Sequence, residues 1–325
     1  MRLERFRFRA MGSPCELQLW SRSRSSAAAV ADACGQEIDR LEKKFSRYRD
    51  DSLTTRINRS AGDDAGVEVD SETAALLDLA ATTHRESGGR FDPTSGVLRR
   101  VWNFKSGHLP TSHAVQEVLE LVGWEKLQWE NPRIVLTRPG MELDFGGFVK
   151  EYAADRAAEL CRVRGVTSGI VDLGGDLAIV GPHPNGQPWL IGIRNPRRPS
   201  EAMARIALRS GGLATSGDYE RFMVIDGKRY AHLLDPRTGW PHDDGPACVS
   251  ITADHCLIAG LTATIAMLQP EAKASEFLEN VGLPHLVVTQ SGKVSGTADH
   301  IDPASERPQK ATGRLGKPMS ALKVS

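Results

Sequence analysis

The sequence has no surplus of either charge: 41 Lys and Arg residues balance 41 Asp and Glu residues over 325 positions. That balance excludes a global basic face for nucleic acid, so any anion must be held locally. A long apolar run is also missing. The opening residues, MRLERFRFRAMGSPCELQLW, alternate basic and apolar positions and contain no signal-type segment or stretch of membrane-spanning length. A cytoplasmic protein with no membrane span is the expectation. Cysteine is sparse and scattered. Cys15, Cys34, Cys161, Cys248 and Cys256 are odd in number and lack CxxC spacing, which speaks against a disulfide framework or a zinc site and fits a reducing compartment. Neither a Walker GxxxxGK[ST] run nor a GxGxxG run is found.

What is present is apolar content of 40%, enough for one large core or two abutting ones. Period-two alternation at Phe6, Phe8 and Glu16 to Trp20 predicts paired strands around a Met11-Gly12-Ser13-Pro14 turn. Helical spacing predicts helices over 25–44, 71–86, 114–122, 152–164, 256–268 and 271–281. Strands are expected at 134–136, 168–173, 189–195, 203–208 and 247–252, with a hairpin reversing at Asp226-Gly227. The stripe Leu98, Val101, Trp102, Phe104 reads as helical core. No linker-like composition divides residues 1–304, which are treated as one unit, and the basic, Pro/Gly-containing segment 305–325 is expected to be disordered.

Four polar segments stand out. The longest runs from Leu213 to Pro241: Ala214 to Tyr219 reads as a polar turn, a hairpin follows, and the return strand ends in His232-Leu233-Leu234-Asp235-Pro236-Arg237-Thr238-Gly239. An imidazole, a carboxylate and a guanidinium thus share one short strand and one turn. The second is Gly88-Gly89-Arg90-Phe91-Asp92-Pro93-Thr94. The third, Asp144-Phe145-Gly146-Gly147-Phe148-Val149-Lys150, precedes a helix whose free N–H groups, with Lys150, suit a phosphate. The fourth is Asp172-Leu173-Gly174-Gly175-Asp176, read either as a tight hairpin or as a turn whose glycines let a ligand approach the backbone.

Together these segments resemble the ApbE family of FAD:protein FMN transferases over roughly residues 6–300. The resemblance implies an α+β fold of mostly antiparallel sheets with flanking helices around a central FAD cleft. It implies transfer of FMN from FAD to a threonine or serine hydroxyl of an acceptor flavoprotein, with release of AMP. His232 becomes the candidate base or acid and Lys150 the candidate phosphate cation, with Asp144 and Asp235 to orient them. Gly174, Gly175, Thr215, Ser216 and Gly217 would face the ligand, and Met11, Ser46, Tyr48, Asp92, Arg237 and Thr238 would border it. Tyr48 either offers its ring to the flavin or packs at a helix end.

The family binds magnesium through a carbonyl near the Lys segment and through an Asp and a Thr four residues apart. Here the threonine is Thr264, but the aspartate position is Gly260, which removes an anionic ligand from a hard-cation site. The family's Lys-Gly is Lys150-Glu151. Glu151 either supplies the missing charge from the opposite wall, for Mg2+ or another divalent cation, or is an acid favoured in a helix first turn. The loss at Gly260 keeps open a flavin-binding protein without transferase chemistry, and water as acceptor would give an FAD pyrophosphate hydrolase. The acceptor's identity and the oligomeric state are not legible in the sequence.

Overall fold

The computed structural model describes residues 1–198 and 200–298, and the backbone of residues 300–301. The tail expected to be disordered, 305–325, lies outside the described residues.

Two nine-residue strands open the chain, β1 (Arg2–Ala10) and β2 (Ser13–Ser21). Met11, at φ 50, and Gly12, at φ 73, make the reversal between them. Next come α1 (Arg24–Phe45), α2 (Leu53–Arg59), β3 (Val67–Glu68), α3 (Ser71–Glu86) and α4 (Ser112–Leu119). The strands β4 (Leu127–Glu130) and β5 (Arg133–Leu136) pair with β3 in a small sheet. After α5 (Val149–Val163) the chain runs through β6 (Gly169–Leu173), β7 (Asp176–Gly181), β8 (Trp189–Arg194), β9 (Ala202–Leu208) and β10 (Gly212–Gly217). The hairpin β11 (Phe222–Ile225) and β12 (Lys228–Ala231) follows. The last elements are β13 (Cys248–Ala253), α6 (Cys256–Met267), α7 (Glu271–Val281), β14 (His285–Val288), β15 (Val294–Gly296) and β16 (His300–Ile301).

Eight strands form the main sheet in the order β1-β2-β6-β7-β10-β13-β14-β15, with every pairing antiparallel. Strand alternation sends neighbouring residues to opposite faces. Val171, Ala214 and Val249 join a core with Leu41 of α1, Ala157 of α5 and Ala263 of α6. Ile170, Leu213 and Cys248 instead meet Ile193, Ala204 and Ile206 of the three-stranded sheet β16-β9-β8. The main sheet is therefore buried on both faces, which accounts for its continuous apolar strands. Mixed helix and antiparallel sheet is the α+β class expected from the sequence.

A third cluster seats the hairpin. Met223, Tyr230 and Trp240 pack with Val97, Leu98, Trp102 and Val122, and Trp102 Nε1 donates to the Gly239 carbonyl at 2.8 Å.

Several local expectations differ from the structure: Ser13 and Pro14 of the expected opening turn already belong to β2, and the helix expected at 114–122 is Ser112–Leu119. Ala214 to Gly217 is not a turn but the end of β10, paired with β13 as far as Gly217. Its polar residues are accommodated because the Thr215 hydroxyl meets Ser250 Oγ at 2.8 Å and Ser216 Oγ lies 3.4 Å from Thr264 Oγ1. The stripe around Leu98 belongs to a 3-10 segment, Pro93–Arg100, that ends before Trp102 and is capped by Asp92. The helix placed at 152 starts at Val149, anchored by buried Phe145 and Phe148. Lys150 and Glu151 consequently stand in its first turn.

Candidate functional site

The Gly-Gly turn between β6 and β7 faces the start of α5. Gly174 and Gly175 adopt φ 69 and 97, and a Cβ on Gly174 would stand 2.7 Å from Cβ of Ser13, so the turn tolerates no side chain there. Asp172 Oδ1 accepts from the Gly175 N–H at 2.8 Å. At the far side of the turn, Asp176 is buried and its Oδ2 lies 2.5 Å from Lys150 Nζ. Burial alone would lower the Lys150 pKa, but the Asp176 and Glu151 carboxylates outweigh it and hold the ammonium above the usual lysine range.

Glu151 points from the same turn of α5 into the interior and is 9% exposed. Burial, followed by the neighbouring Asp176 charge, pushes its carboxyl up to about 8. Burial raises Asp176 as well, against the pull of Lys150 and of the Thr215 backbone N–H. Burial disfavours ionisation of both carboxyls. Among the described residues, Glu151 Oε2 has no hydrogen-bond partner.

The wall opposite Glu151 is α6. A Cβ on Gly260 would lie 2.6 Å from Glu151 Cγ, so the glutamate occupies the space that any side chain at position 260 would need. Thr264 is one helical turn further along the same face. The buried carboxylate oxygen without a donor and the nearby hydroxyl are hard oxygen donors that fit a divalent cation of the magnesium type. Asp155, four residues after Glu151, fixes α6 against α5 by accepting from the N–H groups of Cys256 and Leu257 at 2.8 and 2.9 Å.

His232 follows β12 directly. Its backbone N–H donates to the Arg221 carbonyl at 2.9 Å, and its ring Nδ1 lies 3.2 Å from the same oxygen. A carbonyl only accepts, so Nδ1 carries the hydrogen and Nε2 keeps its lone pair. Burial, then the Arg221 charge, lowers the imidazole to about 4, with a smaller push from Lys150. The ring is a neutral base at pH 7.

The rest of this segment is a braced turn. Asp235 is buried and receives the Arg237 guanidinium at 2.9 and 2.6 Å, the Arg237 N–H at 2.9 Å and His242 Nε2 at 3.1 Å. Burial opposes ionisation of Asp235, but Arg237 and His242 hold it far below the usual carboxylate range. Thr238 Oγ1 accepts from the Trp240 N–H at 3.2 Å.

The second Asp-Pro turn meets this one, since a Cβ on Gly89 would touch both His84 Nε2 and Arg237 Cγ, at 3.5 and 3.9 Å. Asp92 is buried, accepting from Thr94 N and Oγ1 at 2.8 and 2.6 Å and, across 32 residues of chain, from Trp124 N at 2.9 Å. Asp144 pairs with Arg47, whose guanidinium lies 5.0 Å from the centre of the Tyr48 ring; that ring is 78% exposed. Ser46 Oγ accepts from the Tyr48 N–H, and the Met11 N–H donates to Glu42.

The structure thus gathers Lys150, Glu151, Gly174, Gly175, Thr215, Ser216 and Thr264 between α5, α6 and the main sheet. Asp235, Arg237 and Thr238 form the braced turn beyond His232. Asp92 is occupied by Thr94 of its own turn, by the Trp124 N–H and by His84. Sequence reasoning assigned no role to Asp155 or His242, because nothing in local spacing reports a contact made across two helices or around a turn. A cavity of about 740 Å³ lies elsewhere, against α1 and α2. Its Arg40, Lys43, Lys44 and Arg59 are engaged by carboxylates, and its Arg56 donates to the Glu68 carbonyl.

Residues 11–287 match the profile of the ApbE family. The chain is 30% identical over 315 residues to the FAD:protein FMN transferase of Treponema pallidum, covering 90% of this chain and 86% of that one. It is 27% identical to the protein of that name from Haemophilus influenzae, across 86% of each. Among solved structures, the ApbE protein of Thermotoga maritima superposes with a TM-score of 0.83 at 31% identity, covering 91% of this chain and 97% of that one. The apo flavinyl transferase ApbE of Pseudomonas stutzeri gives 0.80 at 26% identity, with coverage of 91% and 95%. With the matched profile spanning most of its length, and the turns, helix starts and hairpin where the polar segments lie, the chain belongs to the ApbE family.

Proposed function

We propose that this protein transfers FMN from FAD to a threonine or serine hydroxyl of an acceptor flavoprotein, releasing AMP, with the help of magnesium or another divalent cation. The observation that carries the reading is His232, a neutral imidazole whose Nδ1 is tied to the Arg221 carbonyl and whose Nε2 is free, within the field of Lys150. The names of the Treponema and Haemophilus relatives supply the reaction class.

In this reaction the acceptor oxygen attacks the phosphorus on the riboflavin side of the pyrophosphate. A new P–O bond forms, the bond to the bridging oxygen breaks, and AMP departs with the electron pair. Nε2 of His232 takes the hydroxyl proton. Lys150 opposes the pyrophosphate charge, and Asp176 fixes the ammonium in place. The Gly174-Gly175 turn admits the ligand to the backbone. Glu151 and Thr264 would hold the cation, which when bound neutralises charge on the pyrophosphate. All five cysteines are free thiols, which suits a reducing compartment.

The test is to incubate the protein with FAD, magnesium and a threonine-bearing acceptor, and to follow AMP by chromatography and the acceptor by mass. Labelling abolished by His232→Ala supports the reading. AMP without labelling points to pyrophosphate hydrolysis, and flavin bound tightly without AMP points to a binding protein.

A further inference from the structure

Glu151 and Gly260 are complementary. The first carries a long carboxylate on a helix start, and the second offers bare backbone where that carboxylate's stem passes, at 2.6 Å from a Cβ built on the glycine. An aspartate at 260 would require the Glu151 side chain to move from the position it holds. The glutamate is nine-tenths buried with Oε2 lacking a partner, an arrangement that costs free energy unless something positive answers it. Lys150 answers it only through space, because its ammonium is paired with Asp176 at 2.5 Å.

We infer that Glu151 is the anionic protein ligand of the divalent cation, reaching across from α5 into the place that a side chain on α6 would otherwise serve. The metal-binding charge has changed walls. Its partners in the site are the Thr264 hydroxyl and, when FAD is present, pyrophosphate oxygens; one carboxylate plus substrate phosphate is a common ligand set for magnesium. The inference rests on the FAD-dependent reading above, and cation binding is measured apart from transfer so that the two can fail separately.

The probe is Mn2+, titrated into the protein with bound FAD and followed by loss of the free-ion electron paramagnetic resonance signal. Flavin binding in EDTA is measured in parallel by fluorescence. Glu151→Gln, which keeps shape and removes charge, is expected to weaken Mn2+ binding by about tenfold or more while leaving FAD binding in EDTA unchanged. The exchange variant Glu151→Gly with Gly260→Asp is expected to recover most of the affinity, which a structural role for Glu151 would not produce. Undiminished Mn2+ binding by Glu151→Gln overturns the inference, as does failure of the folded exchange variant to bind better than Glu151→Gly alone. If the parent chain with FAD binds no Mn2+, the inference also falls, and Lys150 is left as the cation of the site. Transfer activity enters none of these readouts.

Discussion

The carboxylate of Asp155 on α5 accepts hydrogen bonds from two consecutive backbone N–H groups, those of Cys256 and Leu257, and so ties the start of α6 to its neighbour. His255, the cap residue of α6, contributes no side-chain bond there. Asp155→Ala leaves both donors unanswered in a partly buried place and is expected to destabilise the fold by about 1–3 kcal/mol. Thermal or urea unfolding checks this. A loss below about 0.5 kcal/mol would mean that water replaces the carboxylate at little cost.

The packing of Gly260 against Glu151 makes the two positions energetically coupled. Gly260→Ala alone is expected to cost about 1–3 kcal/mol through overpacking, and much less in a Glu151→Gly background. A double-mutant cycle on unfolding free energies measures the difference. Additive effects would show that the glutamate swings away freely.

His232 sets the acid behaviour. Its pKa near 4 lies below the ordinary 6.5, so the imidazole stays neutral well into the acid range. For free enzyme, kcat/KM for AMP release is expected to show no loss assignable to His232 between pH 7 and about 5, whereas an ordinary histidine would halve near 6.5. The stability sign follows from the same shift. Between 6.5 and 4 the unfolded chain takes up the proton and the folded chain does not, so His232 lowers stability progressively as pH falls through that window. In His232→Gln that part of the pH slope should vanish, while AMP release falls by about 10²–10⁴.

Asp92 answers three donors, Thr94 N, Thr94 Oγ1 and Trp124 N, from a nearly closed position. Asp92→Ala is expected to cost about 2 kcal/mol or more in unfolding free energy, with the affinity of the surviving folded protein for FAD changed little. A selective loss of FAD affinity at unchanged stability would instead place Asp92 on the ligand.

Much of the fold was legible because its elements obey simple periods. The helix at 71–86 begins after Asp70, whose side chain caps it, and ends where the sequence predicts. The hairpin reverses at Asp226-Gly227, both at positive φ, as an Asp-Gly pair demands. The strand β10 was hidden because Thr215, Ser216 and Gly217 have turn composition, and only Ser250 and Thr264, distant in sequence, make them acceptable inside a sheet. The start of α5 was misplaced by three residues for a related reason. Phe145 and Phe148 hold the helix entry by burial, and burial is a property of the assembled core.

In the site, the paired departures at 151 and 260 were visible, but their contact was not, since only folding brings residues from α5 and α6 together. The role of Asp176 as counter-ion to Lys150 was likewise concealed by the spacing between them.

The main sheet and its helices carry Lys150, Asp176 and Glu151, whereas His232 hangs from the two-stranded β11–β12 hairpin, whose seat is the cluster around Trp102. On the proposed mechanism, proton acceptor and phosphate anchor are thus mounted on separable parts. Drift in the hairpin's loop and outer face can retune which hydroxyl is presented for attack without touching the carboxylate and ammonium pair. If that mechanism holds, the architecture leaves acceptor choice open to evolution while the nucleotide end stays fixed.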